Sequence, residues 1–338
     1  MVACQADRFL SGSAGVYTDN DPGTERNPMR DESDFTRLTE PFRKELLAHC
    51  YRMLASYDEA EDLVQETYLR AWRSFGTFEG RSSVRVWLYR IATNACLTAL
   101  DNRKRRPLPS GLGAPSNDPY GEPAAAGPDI EWLQPIPDAL VTPADQDPAM
   151  VAATRDGLRL ALVASLQRLP PKQRAVLILR EVLAFSANEV AVMLGTTHTA
   201  VKSSLQRARA NLGDPQPTDL AGDLDERRLL EQYIYGFENA DLAVLEQALR
   251  QDASLEMVGT TTWFDGRKTC VPYLANVIGQ PGDWRMVPTR ANGQPAVVSY
   301  YRGEPFGLAV LDIRVDGLKG IAVFAGSDLV TSFSPSAA

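Results

Sequence analysis

Between residues 107 and 149 the chain carries ten prolines and neither lysine nor arginine. Proline removes backbone donors and breaks helix interiors, so no helix runs through most of this stretch. The chain must therefore fold as modules on either side of an extended linker, in line with the two or three domains that 338 residues predict. Charge divides at the same boundaries. Residues 107–149 hold seven carboxylates, whereas residues 43–106 carry a net charge of +4 and residues 155–212 a net charge of +6. The overall −8 thus conceals two basic blocks, each suited to a polyanion.

In the second basic block Ser186 and Glu189 stand three apart before an apolar run, the spacing of a reciprocal helix cap. Val190, Val192, Met193 and Leu194 follow, Gly195 breaks the pattern, and a second helix begins near Thr197. Val201, Leu205, Ala208 and Leu212 give it a buried stripe. The opposite face carries His198, Thr199, Lys202, Ser203, Gln206, Arg207 and Arg209. This is the plan of a helix-turn-helix. An ordinary helix pair with a solvated basic face has the same pattern, so the remaining chain must decide.

The first basic block is helical from Phe42. Asp58, Glu59, Glu61 and Asp62 crowd the first turns of a helix where the dipole favours anions. Val64, Tyr68, Ala71, Trp72 and Phe75 are expected on its inner face, with Gln65, Glu66, Leu69 and Arg73 outside. A loop, Phe75 to Ser83, leads to a third helix whose expected core face is Val84, Trp87, Leu88, Ile91, Ala95 and Ala99, closed by Arg103–Arg106. Cys4, Cys50, Cys96 and Cys270 have no metal-ligand or disulfide-framework spacing, which suits a reducing cytosol. No apolar run approaches a membrane span and the N-terminus has no signal core, so no membrane is expected. Only His49 and His198 are present, leaving little for histidine-dependent chemistry. No metal, cofactor or catalytic residue is expected.

The run AEDLVQETYLRAW, the F-x-G-x-S-S loop and VWLYRIATNACLTALDNRKRR resemble region 2 of bacterial extracytoplasmic-function (ECF) sigma factors, and residues 155–212 resemble their region 4. The resemblance implies that Asp58, Asp62, Gln65, Glu66 and Leu69 dock on the clamp helices of core RNA polymerase, with the flap region as a further contact. It implies that Phe78, Glu79, Ser82, Ser83, Arg85, Arg90 and Asn94 open the −10 promoter element and hold a flipped base, while Arg103, Lys104, Arg105 and Arg106 hold phosphates. His198, Thr199, Lys202, Ser203, Gln206, Arg207 and Arg209 would face the −35 element. The acidic linker would thread a cation-lined channel as a nucleic-acid mimic, with Ile130–Pro137 as a docking point; a merely solubilising tether fits equally.

Residues past Leu212 exceed what this family usually carries. Helical patterning (Leu229, Tyr233, Ile234, Phe237; Leu242, Leu245, Leu249) precedes β-type runs, an α+β plan. ENADLAVLEQAL, DASLEMV and TTWFDGR are similar to SnoaL-like cone domains, which enclose an apolar pocket. That similarity implies a regulatory domain. Met257, Trp263, Phe264, Trp284, Tyr300 and Phe324 are candidates to sense a small apolar ligand, or are plain core. Asp241, Asp252, Glu256 and Asp265 lack a histidine partner, so catalysis is not expected.

The expectation is a multidomain cytoplasmic protein: a flexible tail (1–35), two all-α helical domains (36–106 and 150–212) joined by the linker (107–149), a connection (213–224) and an α+β SnoaL-like domain (225–338). Met29 is a candidate natural start. The alternative is a ligand-responsive helix-turn-helix regulator without sigma activity, which leaves the Asp58–Arg106 patterning unused.

Overall fold

The computed structural model describes residues 32–101, 103–142, 155–212 and 219–333. The tail through residue 31, Met29 and Cys4 included, lies outside them, as do Asn102, the end of the linker, residues 213–218 of the 213–224 connection and residues 334–338.

The first module comprises α1 (Glu32–Thr39), α2 (Arg43–Leu54), α3 (Tyr57–Phe75) and α4 (Val84–Leu100). Serine side chains start the last two helices: Ser56 accepts from the Glu59 N–H and Ser83 from the Val86 N–H. Two expectations need correction. Trp72 does not face inward; it is 44% exposed and meets the Phe35 ring edge-on, 5.2 Å between centroids. On α4, Val84, Trp87, Ile91 and Ala99 are only partly covered, while Val86, Tyr89, Ala92, Thr93 and Cys96 are fully buried. A single core face was the wrong premise, because α4 is packed by its own module on one side and by the second module on the other.

The linker is folded against the molecule rather than held away from it. It has little regular structure beyond one turn of helix, α5 (Asp138–Val141), yet Leu108, Leu133, Ile136 and Val141 are buried. Its backbone is hydrogen-bonded to other modules: Gln134 N–H to the Ala55 carbonyl, and Ser116 N–H to the Trp263 carbonyl. The apolar island around Leu133 and Ile136 therefore docks within its own chain.

The second module has α6 (Leu160–Leu166), α7 (Pro171–Leu177) running into a π turn at Ile178–Val182, α8 (Ala187–Met193) and α9 (His198–Leu212). The reciprocal cap is formed, with Glu189 N–H on Ser186 Oγ at 3.2 Å and Ser186 N–H on Glu189 Oε2 at 2.7 Å. Gly195 takes φ +58°, the left-handed value that turns the chain between α8 and α9. Val201, Leu205 and Ala208 are buried as the stripe requires.

The C-terminal module is α+β: α10 (Asp223–Glu238), α11 (Leu242–Ala248), β1 (Leu249–Val258), β2 (Trp263–Asp265), α12 (Arg267–Val277), β3 (Trp284–Ala291), β4 (Gln294–Tyr301), β5 (Glu304–Arg314), β6 (Gly317–Ala325) and α13 (Ser327–Phe333). The sheet order is β2-β1-β6-β5-β4-β3, antiparallel except for the parallel β1–β6 pair. Side chains alternate between two cores. Val297, Ala309, Leu311 and Ile321 pack under the module's own helices, with Leu229, Phe237 and Leu274. Val298, Leu308, Val310, Ala322 and Phe324 belong instead to the core shared with both helical modules, the linker and α13. All modules thus meet on one face of the sheet.

Candidate nucleic-acid interface

The outer face of α9 is open. His198, Thr199, Lys202, Ser203, Gln206, Arg207 and Arg209 are all exposed, and Arg209 is paired with Glu181 at 2.7 Å. The buried stripe and the cap on α8 hold this face rigidly outward. Lys and Arg can reach phosphates or guanine edges from such a helix, and Gln can reach adenine. On α3, Asp58, Asp62, Gln65 and Leu69 are exposed and Glu66 is half-buried; Glu66 pairs with Arg70, and Asp58 accepts from linker Gln134 at 3.0 Å. Exposed Leu69 and Trp72 add an apolar patch beside these acids.

The expected −10 residues are differently placed. Phe78 stacks on Trp87, 4.7 Å between centroids, and Glu79 pairs with Arg81. Ser82 is half-buried and Arg90 exposed. Ser83 spends its hydroxyl as a helix cap. Arg85 pairs with Glu45 and lies 4.4 Å over the Phe185 ring of the second module, while Asn94 donates to the Met193 carbonyl at 3.2 Å. Tyr89 meets the Phe185 ring edge-on. These contacts seat the end of α8 and the loop that precedes it on the face of α4. The arginine cluster is partly engaged too: Arg103 and Arg106 pair with Glu59, Arg106 also with linker Glu131 at 2.9 Å, and Arg105 donates to the Gly111 carbonyl. Lys104 is exposed.

Asn292, in the β3–β4 turn, joins the modules and was not anticipated. Fully buried, it accepts from the Ile136 N–H at 3.0 Å and donates to Tyr51 Oη at 2.7 Å and the Leu158 carbonyl at 2.9 Å. It thereby reads the linker, the first module and the second at once. Gly293 beside it gives its N–H to Asp138 at 2.7 Å, and a Cβ there would stand 2.3 Å from the Arg155 carbonyl oxygen. Burial pushes the Asp138 carboxyl up, against the Gly293 N–H and Arg290. Two buried guanidiniums stitch the helical modules together: Arg52 donates to the Gly157 carbonyl, and Arg174 to the Met53 carbonyl. Burial brings each down to about 10. The Asn-Gly dipeptide between β-type runs was the available sequence signal.

Within the C-terminal module a cavity of about 390 Å³ opens among Tyr233, Phe237, Met257, Leu274, Trp284, Met286 and Phe306. Of the six aromatic and methionine candidates, Met257 and Trp284 line it. Trp263, Phe264, Tyr300 and Phe324 do not. Asp241 caps α11, Asp252 is held by Arg250 and Lys319 well below the usual carboxylate range, and Glu256 faces a different cavity. None of the cavity's lining residues is a carboxylate or histidine.

Residues 38–106 match the family model for sigma-70 region 2, and residues 159–212 that for sigma-70 region 4. The chain is 46% identical over 311 residues to the ECF RNA polymerase sigma factor SigG of Mycobacterium tuberculosis, across 89% of this chain and 83% of that one. It is 29% identical over 184 residues to the ECF RNA polymerase sigma factor SigW of Bacillus subtilis, across 54% of this chain and 88% of that one. The crystal structure of the M. tuberculosis ECF sigma factor SigJ shares the fold, with TM-score 0.57, 21% identity and 89% of this chain covered against 99% of that chain.

Proposed function

Because this chain belongs to the ECF RNA polymerase sigma factors, as its similarity to SigG requires, we propose that it binds core polymerase through the Asp58–Leu69 face of α3. On the polymerase it directs promoter-specific initiation, region 2 melting the −10 element and region 4 reading the −35 element. The observation that carries this reading is α9: its apolar stripe is buried while Lys202, Gln206 and Arg207 stand exposed on the opposite face.

The packing of region 4 on region 2 adds a regulatory step. Some 25 base pairs separate the two promoter elements, about 85 Å at 3.4 Å per pair. Modules in contact through Phe185, Tyr89 and Asn94 cannot span that distance, so the chain opens on the promoter. A 43-residue linker reaches at most about 140 Å when extended, which suffices. The C-terminal module, gripping both helical modules through Asn292, holds the closed form. It performs no covalent chemistry in this reading, and its apolar cavity takes a small apolar ligand that shifts the balance.

In vitro transcription with purified core polymerase and a promoter panel tests the proposal. Specific transcripts that depend on this chain, and that fall on Lys202→Ala with Gln206→Ala, are expected. No retention on core polymerase, or DNA binding without any transcription, would instead support a regulator lacking sigma activity. A hydrophobic dye bound in the 390 Å³ cavity and displaced by an apolar compound library tests the ligand; no displacement by any member removes it.

A further inference from the structure

Where region 2 ends, Arg103, Lys104, Arg105 and Arg106 wall a cavity of about 130 Å³ together with Arg174 of α7. Glu59 is the one carboxylate among its lining residues, so positive charge exceeds negative by four. Arg174 is only 3% exposed. Its guanidinium donates to the Met53, Gln167 and Leu169 carbonyls and to the Gln167 side-chain oxygen, none of them charged. Its Nε has no partner. A buried cation that meets only neutral acceptors stands beside four more cations, and Glu59, shared by Arg103 and Arg106, offsets only part of that charge.

A second cavity shares part of this lining. Arg105, Arg106 and Gln167 also line this larger one, about 550 Å³, between the linker, the start of region 4 and the sheet. Arg168 and Arg159 stand on its region 4 side. Across from them Asp312 is paired with Arg159 at 2.5 Å, and Glu256 accepts the Ser110 N–H at 2.9 Å. The smaller cavity is therefore strongly cationic, while the larger one sets Arg105, Arg106, Arg159 and Arg168 in the same lining as the carboxylates of Glu256 and Asp312.

We propose that these two adjacent cavities bind a small phosphorylated metabolite, its phosphates among Arg103–Arg106 beside Arg174 and its hydroxyl- or amine-bearing body toward Glu256. A nucleoside diphosphate and a sugar phosphate share this chemistry. Phosphate oxygens offset the excess positive charge around Arg174, and the exposed guanidinium forks of Arg103 and Arg105 match them bidentately. Such a ligand touches region 2, the linker, region 4 and the C-terminal module together, so it binds the closed arrangement better than an opened one and stabilises it. Its competition with promoter phosphates for Arg103–Arg106 rests on the function proposed above; the binding site itself does not.

The test is calorimetric titration of the full chain, without DNA or polymerase, using pyrophosphate, a nucleoside diphosphate and a hexose phosphate, with sodium sulfate at matched ionic strength as reference. At least one phosphate compound is expected to bind with Kd below about 1 mM and to raise Tm, and the three arms identify its class. Because Arg174→Gln could fail to fold, the variants are Lys104→Ala and Arg105→Ala, each expected to weaken binding about five-fold. Lys268→Ala, at an exposed position of α12 remote from both cavity linings, serves as the reference cation. Absence of binding in every arm, sulfate binding as strongly, or equal weakening by Lys268→Ala would overturn the proposal. Since no promoter enters the measurement, failure here leaves the transcriptional reading standing, and the reverse holds.

Discussion

Asn292→Ala is the most informative single change, because it removes an acceptor and two donors from the point where the modules meet. Tyr51 keeps its own donation to the Gln134 carbonyl at 2.7 Å. The Ile136 N–H and the Leu158 carbonyl, however, lose the Asn292 side chain within a buried site. Each buried polar group left unmatched costs about 1–3 kcal/mol. Asn292 also sits at φ +57°, where alanine is disfavoured by a further ~1 kcal/mol. The sum, about 3–7 kcal/mol, is comparable to the whole stability of many domains, and it falls on the closed arrangement. Gly293→Ala attacks the same place by a different route, driving a Cβ into the Arg155 backbone. Gly303→Ala is the matched reference: Gly303 has φ +86°, also in a two-residue hairpin turn, but nothing lies within 4 Å of its Cβ position. Local strain is thus similar, and only the inter-module clash differs. Hydrogen exchange at the Ile136 and Leu158 amides and small-angle scattering are the assays. Faster exchange and a larger radius are expected for Asn292→Ala and Gly293→Ala, with more promoter-dependent transcript per bound polymerase. Equal behaviour of Gly303→Ala and Gly293→Ala, or unchanged exchange in Asn292→Ala, would refute the reasoning.

Burial, then the positive charges of Arg52 and Arg85, hold His49 down to about 3. The unfolded chain takes up that proton near pH 6.5 and the folded one does not, so stability is lost as pH falls from about 6.5 toward 3, by about 1.4 kcal/mol per pH unit. Urea denaturation at pH 7.5 and pH 5 should show a loss about 2 kcal/mol greater than in His49→Gln; equal losses would exclude His49 as the cause. Ser186→Ala deletes half of the reciprocal cap and should cost about 1 kcal/mol, read as a lower Tm with weaker −35 binding. Lys202→Ala should lower the salt dependence of promoter binding by about one counter-ion with Tm unchanged if it contacts a phosphate. Asp62→Arg should abolish retention on core polymerase at unchanged Tm, since Asp62 is exposed and outside both cores.

The helix-turn-helix was legible because every signal in it is local. Ser186, Glu189, Gly195 and the Val201–Ala208 stripe act within a few residues of one another. The α+β plan of the C-terminal module was legible as well, although β2 and β3 were not: Trp263–Asp265 has three residues, and β3 carries Pro288. Long-range pairing was invisible. The alternation in β4 through β6 gave two apolar sets without saying that one of them would serve helices more than a hundred residues upstream. The same blindness misplaced Trp72 and gave α4 a single inner face. The linker's prolines correctly excluded a helix but carried no information on where Leu133 and Ile136 would be received. Of the expected −10 set, the residues on α4 were assigned by resemblance to a chain on DNA, whereas Arg85 and Asn94 here face region 4.

The parallel pairing of β1 with β6 sets a timetable for biosynthesis. The sheet cannot close around its centre until residues 317–325 have left the ribosome, although both helical modules emerged long before. At roughly 5–20 residues per second, more than a hundred codons separate a finished region 4 from a finished β6, an interval on the order of 6–20 s. Each newly made molecule therefore passes through a short period in which both helical modules exist and the sheet that joins them through Asn292 does not. A stalled or truncated transcript would prolong that period indefinitely.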